Sequence, residues 1–213
     1  MHNSSPAASR VLISPRVGLG VIAEVYTAWR QSPADSYNIA MKELDRHASR
    51  PIHALSLGLL DYLLVVPGMM FGSYLMPVTL SLVGLYLGWK FTLVGLAACL
   101  ATLAITDPLK HWAARPRPQP LEAPRRIPLR GLVKNPSFPS GDSAQAAMIT
   151  MMLWLNAPME GWPRHVLLLI APACMFARVY FGAHWVGDTL AGAAIGAAVW
   201  FVFQGLFGDF LAA

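Results

Sequence analysis

Apolar residues along this chain occur in long blocks separated by short polar segments, and they do not alternate with polar residues. After residue 50 the blocks cover 52–66, 69–89, 91–108, 143–155, 166–181 and 185–207. Pro67-Gly68 is predicted to interrupt the first apolar run, and Lys90 is predicted to mark a hairpin turn. A helix needs roughly 20 apolar residues to cross a bilayer. The pattern therefore predicts an all-α, polytopic transmembrane helical bundle. The number of spans is five or six, because residues 52–66 could span, tilt or lie on the membrane surface.

The first 50 residues have a different character. Apolar residues recur at helical spacing over 17–30, with a polar opposite face, which favours an interfacial amphipathic helix. A second, polar helix is predicted over 35–49. We therefore divide the chain into an N-terminal interfacial region (1–50) and a transmembrane domain (51–213). Within that domain, the proline-rich, basic segment of about 113–139 is predicted to be a loop outside the hydrocarbon.

Composition strengthens the membrane interpretation. Apolar residues make up 55% of the chain and charged residues 13%, whereas soluble domains carry about 25% charged residues. The net charge of +5 suits anionic lipid headgroups, and no interleaved basic and aromatic residues indicate a nucleic-acid partner. We expect an integral, multi-pass membrane protein surrounded by lipid. No metal site and no cofactor are expected, because the histidines outside the motifs described below have no partners at ligand spacing.

The topology predicts that four helix ends meet on one membrane face: the end of the 91–112 helix, the start of 140–155, the end of 166–181 and the start of 184–207. Polar residues that would be costly in lipid are concentrated there. They are Lys110, Arg115, Arg117, Ser140, Gly141, Asp142, Arg178, His184 and Asp188. Several cations around a histidine and a helix N-terminus are typical of an anion site. His184 and Asp188 are four residues apart, so they share a helix face, and the carboxylate could orient the imidazole.

Three segments carry a family resemblance. KHWAARPRP (110–118) has a lysine, six residues and then Arg-Pro; FPSGDS (138–143) is similar to Pro-Ser-Gly-His; and ARVYFGAHWVGD (177–188) is similar to Ser-Arg, five residues, His, three residues, Asp. In this order they resemble the three signatures of the phosphatidic acid phosphatase type 2 superfamily of membrane lipid phosphate phosphatases.

The resemblance implies a helical bundle, a metal-free site and a phosphohistidine intermediate. Carried over, it assigns phosphate binding to Lys110, Arg117, Ser140, Gly141 and Arg178. It makes His184 the nucleophile and Asp188 the residue that orients it. Arg115 is a further possible phosphate ligand, or a contact to lipid headgroups. The basic residues of the 113–139 loop favour a cytoplasmic site, but they include phosphate ligands, and the family's usual facing is outward. We therefore expect the site to face the periplasm or lumen.

The chain departs from the family pattern at two positions. Ala177 replaces a serine, and Asp142 replaces the histidine that protonates the leaving group. Four interpretations of Asp142 are open. Asp142 could itself be the acid, another group such as His111 could supply the proton, the substrate could be a diphosphate whose leaving group needs little protonation, or the protein could be a weak or inactive relative.

The function predicted is a metal-independent membrane phosphohydrolase that acts on a lipid phosphate or, as our preferred substrate, a prenyl or other lipid diphosphate. Two alternatives use the same residues. One is a lipid phosphotransferase, which only an acceptor assay would distinguish. The other is a catalytically weak membrane protein that binds lipid phosphates. The sequence identifies neither the lipid nor the oligomeric state.

Overall fold

The computed structural model describes the backbone of residues 33–118 and 135–212, with side chains from residue 43 onward. The predicted interfacial helix over 17–30 and most of the 113–139 loop lie outside these residues. Every regular element in the described part of the chain is helical, which confirms the all-α prediction. The elements are α1 (Pro33–Ala54), α2 (Leu60–Met69), α3 (Met76–Leu87), α4 (Trp89–Ala113), α5 (Gly141–Asn156), α6 (Trp162–Val166), a 3-10 turn (Leu167–Leu169), α7 (Ile170–Tyr180) and α8 (Val186–Ala212).

The break predicted at Pro67-Gly68 is wrong, because α2 continues through both residues to Met69. Proline lacks only its own backbone donor, and the amide of Met70 still donates to the carbonyl of Val66 at 3.0 Å. The chain turns instead over 70–75. As a result, α2 and α3 have 10 and 12 residues, each too short on its own to cross a bilayer.

The turn predicted at Lys90 is also displaced. The chain reverses at Gly88, whose φ of 110° is open to glycine and strained for other residues. Lys90 lies in the first turn of α4. At the other end, α4 continues to Ala113, and Ala114 ends it in the left-handed conformation. The polar end of α4 therefore carries Lys110 at its last turn and leads directly into the Arg115–Arg117 segment.

Two of the described helices, α4 and α8, are long and apolar enough to cross a membrane by length and composition. Large apolar side chains on both remain exposed, among them Leu100 (60%) and Leu206 (71%). Exposed apolar surface of this extent is what contact with lipid tails would cover. Five or six spans remain a prediction.

The most extensive helix contact joins α5 and α8, and two glycines allow it. A Cβ at Gly196 would lie 1.8 Å from the Ala144 carbonyl oxygen, and one at Gly192 would lie 2.2 Å from the Ser140 carbonyl oxygen. Both distances are impossible for real atoms. This small-xxx-small spacing lets the two backbones touch, as in membrane helix pairs. It also brings the start of α5 against the start of α8.

Candidate active site

The four polar helix ends come together in the structure. The Ser140 amide, at the start of α5, donates to the Asp188 carbonyl in the first turn of α8 at 2.9 Å. Arg117, which follows α4, donates to the Ala183 carbonyl between α7 and α8 at 2.7 Å. The Lys110 ammonium lies 3.4 Å from the point where a Cβ of Gly141 would stand. The motif segments, far apart in sequence, therefore form one cluster.

His184 lies in this cluster, 2% exposed, with both ring nitrogens occupied. Its Nδ1 is 2.8 Å from the Ser137 carbonyl oxygen, and its Nε2 is 3.1 Å from Arg117 Nη1. A carbonyl can only accept and a guanidinium can only donate. In the neutral ring the proton is therefore on Nδ1, and Nε2 carries the lone pair. Nε2 is thus the atom available for attack on an electrophile.

The surroundings keep this ring neutral. Burial lowers the pKa of His184 to about 4, the positive charges of Arg178 and Arg117 act in the same direction, and Asp188 partly opposes them. Desolvation and nearby cations both disfavour an imidazolium ion. At neutral pH the Nε2 lone pair is consequently not blocked by a proton. A neutral, buried imidazole among cations can act as a nucleophile toward an anion.

Asp188 is fully buried and supports the ring from the Nδ1 side. Its Oδ2 lies 3.7 Å from His184 Nδ1 and accepts a hydrogen bond from the Trp185 amide at 3.0 Å. The nearest acceptor for Nδ1–H is thus the Ser137 carbonyl, with the Asp188 carboxylate just beyond it. Asp188 contributes a negative charge next to the ring and holds the loop that carries His184.

Arg115, considered above as a phosphate ligand or a headgroup contact, has a different position. Its Nη1 lies 2.8 Å from Asp188 Oδ1 and 2.7 Å from Asp45 Oδ2. Its guanidinium also lies over the Trp185 ring, 5.4 Å from the ring centre. Nη1 therefore contacts two carboxylates, Asp45 and Asp188, within the described residues.

Arg178 and Asp142 form a second ion pair. Arg178 Nη1 lies 2.9 Å from Asp142 Oδ2 and donates to the Gly68 carbonyl at 3.0 Å. Arg178 is 3% exposed, so its charge requires partners in this environment. The residue that departs from the family pattern thus contacts the residue expected to bind phosphate. An ion pair of this kind favours the ionised form of a carboxylate.

The remaining predicted residues lie at the starts and ends of helices. Ser140 is the N-cap of α5, because its Oγ accepts from the Ser143 amide, and Gly141 opens the helix. Lys110 also pairs with Asp107 at 3.1 Å. His111 is exposed, and no hydrogen bond or ion pair links it to the other site residues within the part of the chain described. The cluster thus includes the predicted phosphate ligands and leaves His111 outside.

A family model for the PAP2 superfamily matches residues 90–210, which is more than half of the chain and includes all three motif segments. The chain belongs to the PAP2 superfamily. Comparison with curated proteins gives no significant match.

Two solved PAP2-type structures resemble this one. The first is described as the first transmembrane PAP2 type phosphatidylglycerolphosphate phosphatase from Bacillus subtilis; it has a TM-score of 0.64 and 22% identity, over 91% of this chain and 96% of that one. The second is LpxE from Aquifex aeolicus, with a TM-score of 0.63 and 24% identity, over 76% of this chain and 95% of that one. Together with the two apolar helices, this likeness in fold identifies the chain as a helical membrane protein.

Contributors to the site that escaped the sequence interpretation include Ser137 and Asp45. Ser137 acts through its backbone carbonyl, which any residue type supplies, so no signal could have identified it. Asp45 and Ser49 belong to the predicted polar helix and are one turn apart, so the sequence indicates that they share a face of this helix. Their partners, the amides of Gly187 and Val186, could not be inferred, because helix spacing does not tell which other element lies opposite.

Proposed function

We propose that this chain is a membrane phosphohydrolase that removes phosphate from a lipid phosphate or diphosphate through a phosphohistidine at Nε2 of His184. The observation that carries the proposal is the His184 tautomer: a buried, neutral ring with Nδ1–H bound to a carbonyl and the Nε2 lone pair facing an arginine. The positive charges of Arg178 and Arg117 also act on this ring, an arrangement that a histidine with only a packing role would not need. A nucleophile for a phosphate ester requires such surroundings.

In the first proposed step, Nε2 attacks phosphorus in line and the bond from phosphorus to the leaving oxygen breaks. Lys110, Arg117 and Arg178, with the amides at the start of α5, stabilise charge on the equatorial oxygens. The substrate phosphoryl group takes over the Arg117 donor that now meets Nε2. In the second step, water attacks the phosphohistidine, releases phosphate and restores neutral His184. Because these cations supply the positive charge that the transition state requires, we propose that no metal ion participates.

A lipid substrate is supported by an apolar cavity of about 410 Å³ lined by residues of α2, α3, α5 and α7. Pro67 and Met70, which line it, flank Gly68, whose carbonyl accepts a hydrogen bond from Arg178. Ala173 also lines the cavity, and it lies on α7, the helix that carries Arg178. An apolar space beside a phosphate ligand suits a molecule with a hydrocarbon tail and an anionic head.

A diphosphate is the preferred substrate because Asp142 pairs with Arg178. A carboxylate held in an ion pair is a poor proton donor, so an alkoxide leaving group would depart unassisted. The leaving group of a lipid diphosphate is a phosphate, which is already a stable anion. We propose in addition that the protein is multi-pass, with the active site facing outward.

The test is phosphate release by the purified protein from matched lipid mono- and diphosphates, with EDTA present, and with His165→Ala and His184→Ala as paired variants. His165 is an exposed histidine on α6, so its removal controls for loss of an imidazole elsewhere. We expect release by wild type and His165→Ala, and none by His184→Ala. Transfer to an added acceptor lipid in place of release would indicate a phosphotransferase. Binding without either reaction would refute catalysis.

A further inference from the structure

The part of α1 from Asp45 onward closes over the start of α8. Asp45 Oδ1 accepts from the Gly187 amide at 2.8 Å, and Ser49 Oγ accepts from the Val186 amide at 3.1 Å. The first amides of a helix have no partner within it, and these two residues, one turn apart on α1, supply partners. Ser49 is fully buried. α1 thus caps the helix that carries Asp188.

Asp45 makes a second contact that Ser49 does not. Its Oδ2 lies 2.7 Å from Arg115 Nη1, the same nitrogen that lies 2.8 Å from Asp188 Oδ1. One guanidinium is therefore shared between two carboxylates. The other oxygen of Asp188 is 3.7 Å from His184 Nδ1. A continuous line of charged groups thus leads from α1 to the imidazole.

The backbone of α8 is matched to this contact. A Cβ at position 187 would lie 2.7 Å from Asp45 Oδ2, closer than two such atoms can approach. The side chains of Asp45 and Arg115 are only 11% and 16% exposed, so solvent screens their interaction weakly. The glycine leaves room for the Asp45 carboxylate beside the amide that donates to it.

The charge balance of the group depends on Asp45. With Asp45 the group of two carboxylates and one guanidinium carries a net charge of −1 beside His184, and without Asp45 that charge is zero. The imidazole becomes positively charged when Nε2 bonds to phosphorus, and a net negative neighbour stabilises that charge. If Asp45 were neutral, Arg115 would offset Asp188 completely.

We propose that Asp45 is a positioning residue of the active site, which holds Arg115 so that Asp188 keeps its negative charge and its place beside His184. The inference rests on the proposed phosphohistidine chemistry. Asp45 itself does not touch the substrate. It acts through Arg115 and Asp188. The part of α1 from Asp45 onward therefore helps to position the active site.

The main variant is Asp45→Asn, which keeps the volume and an oxygen for the Gly187 amide but removes the charge. We expect kcat to fall about 10- to 100-fold, the range found when a residue that orients the functional groups of a site is removed. KM should change less than about threefold. Ser49→Ala is the matched control, because it removes the neighbouring cap without a change of charge, and it should leave kcat within about threefold of wild type. Gly187→Ala should lower kcat as well, since it displaces Asp45 while all charges remain.

A coupling experiment separates positioning from general loss of structure. In an Arg115→Gln background Asp188 is no longer offset, so Asp45→Asn should lower kcat by less than about threefold, because the residue through which it acts is gone. An equal loss in both backgrounds, or a folded Asp45→Asn enzyme with wild-type kcat, would overturn the inference. If Asp45→Asn does not fold, Gly187→Ala decides: wild-type kcat in that variant also overturns it.

Vanadate binding measured by calorimetry keeps this test independent of turnover. We expect Asp45→Asn to weaken vanadate binding about tenfold or more and Ser49→Ala to leave it unchanged. If the wild type binds vanadate but hydrolyses no lipid phosphate or diphosphate, the proposed function fails while the positioning role is still judged by these affinities. Equal affinity in wild type and Asp45→Asn would reject the positioning role alone.

Discussion

Two arginine–aspartate pairs flank the site, and they differ in the other partners of the arginine. In the Arg115–Asp188 pair the guanidinium is shared with Asp45, and we propose that Asp188 thereby keeps its negative charge beside His184. In the Arg178–Asp142 pair the arginine has one carboxylate and a backbone carbonyl, Gly68, as partners. The first pair therefore lies next to the proposed nucleophile, whereas the second offsets the charge of a predicted phosphate ligand.

The difference shows that an aspartate near this site has no fixed role. Both carboxylates lie in the first turn of a helix, Asp142 in α5 and Asp188 in α8, and both meet an arginine at 2.8 to 2.9 Å. The two pairs differ in the third partner of the arginine, which is the Asp45 carboxylate for Arg115 and the Gly68 carbonyl for Arg178. Variants that neutralise each carboxylate in turn should therefore have different effects on the reaction.

The largest effect is expected from Asp188→Asn. Loss of this charge removes stabilisation of the positive imidazole and leaves Arg115 unopposed except by Asp45. We expect kcat to fall on the order of 10³- to 10⁴-fold, by analogy with the loss of a histidine-orienting carboxylate in hydrolases. Initial rates with a lipid diphosphate measure it, and folding is checked by the melting temperature. A decrease of less than tenfold would show that the Ser137 carbonyl alone orients the ring.

An intermediate effect is expected at the other pair. Asp142→His restores a group able to deliver a proton near neutral pH, which is worth about 10²- to 10⁴-fold for poor leaving groups. We expect the ratio of kcat/KM for the monophosphate to that for the diphosphate to rise at least about tenfold. Asp142→Asn serves as the control, and it should still hydrolyse the diphosphate. A wild type that prefers the monophosphate, together with an inactive Asp142→Asn, would instead identify Asp142 as a working general acid.

The smallest effect concerns the proton on His184. Since its pKa is lowered to about 4, Nε2 should stay unprotonated from pH 8 to about pH 5 and gain a proton only near pH 4. Asp188 raises that pKa, so Asp188→Asn should lower it further, whereas Asp142→Asn should change it less. Imidazole ¹⁵N shifts, assigned by comparison with His184→Ala, measure the His184 pKa in the wild type, in Asp188→Asn and in Asp142→Asn. Protonation of the wild-type ring near pH 6.5 would contradict the buried, neutral histidine.

Much of the fold could be predicted because lipid leaves a strong pattern in the sequence. Blocks of apolar residues predicted α4, α5 and α8 with errors at their ends, whereas the helix predicted over 166–181 begins as a 3-10 turn and becomes α-helical from Ile170. The errors around Pro67 and Lys90 have a local cause. Proline costs one hydrogen bond and does not always end a helix, and a glycine able to adopt positive φ, here Gly88, sets a turn more firmly than a lysine does.

The members of the site could be predicted from motif spacing, but their pairing could not. Nothing in the sequence indicates that Arg115 faces two carboxylates, since Asp45 is 70 positions away on a helix whose partner is set by tertiary packing. The close contact of α5 and α8 at Gly192 and Gly196 likewise depends on three-dimensional fit. The sequence shows which charged residues are present, and the packing of the helices determines which of them form ion pairs.

The central claim is that phosphate is transferred to Nε2 of His184, and trapping the intermediate tests it most directly. The purified protein would be mixed for milliseconds with a ³²P-labelled lipid diphosphate, quenched in alkali and digested for peptide mapping. We predict label on the peptide that contains His184, lost on treatment with acid, and absent from His184→Ala but present in His165→Ala. Phosphate release at the wild-type rate by His184→Ala, or label on a different residue, would contradict the account.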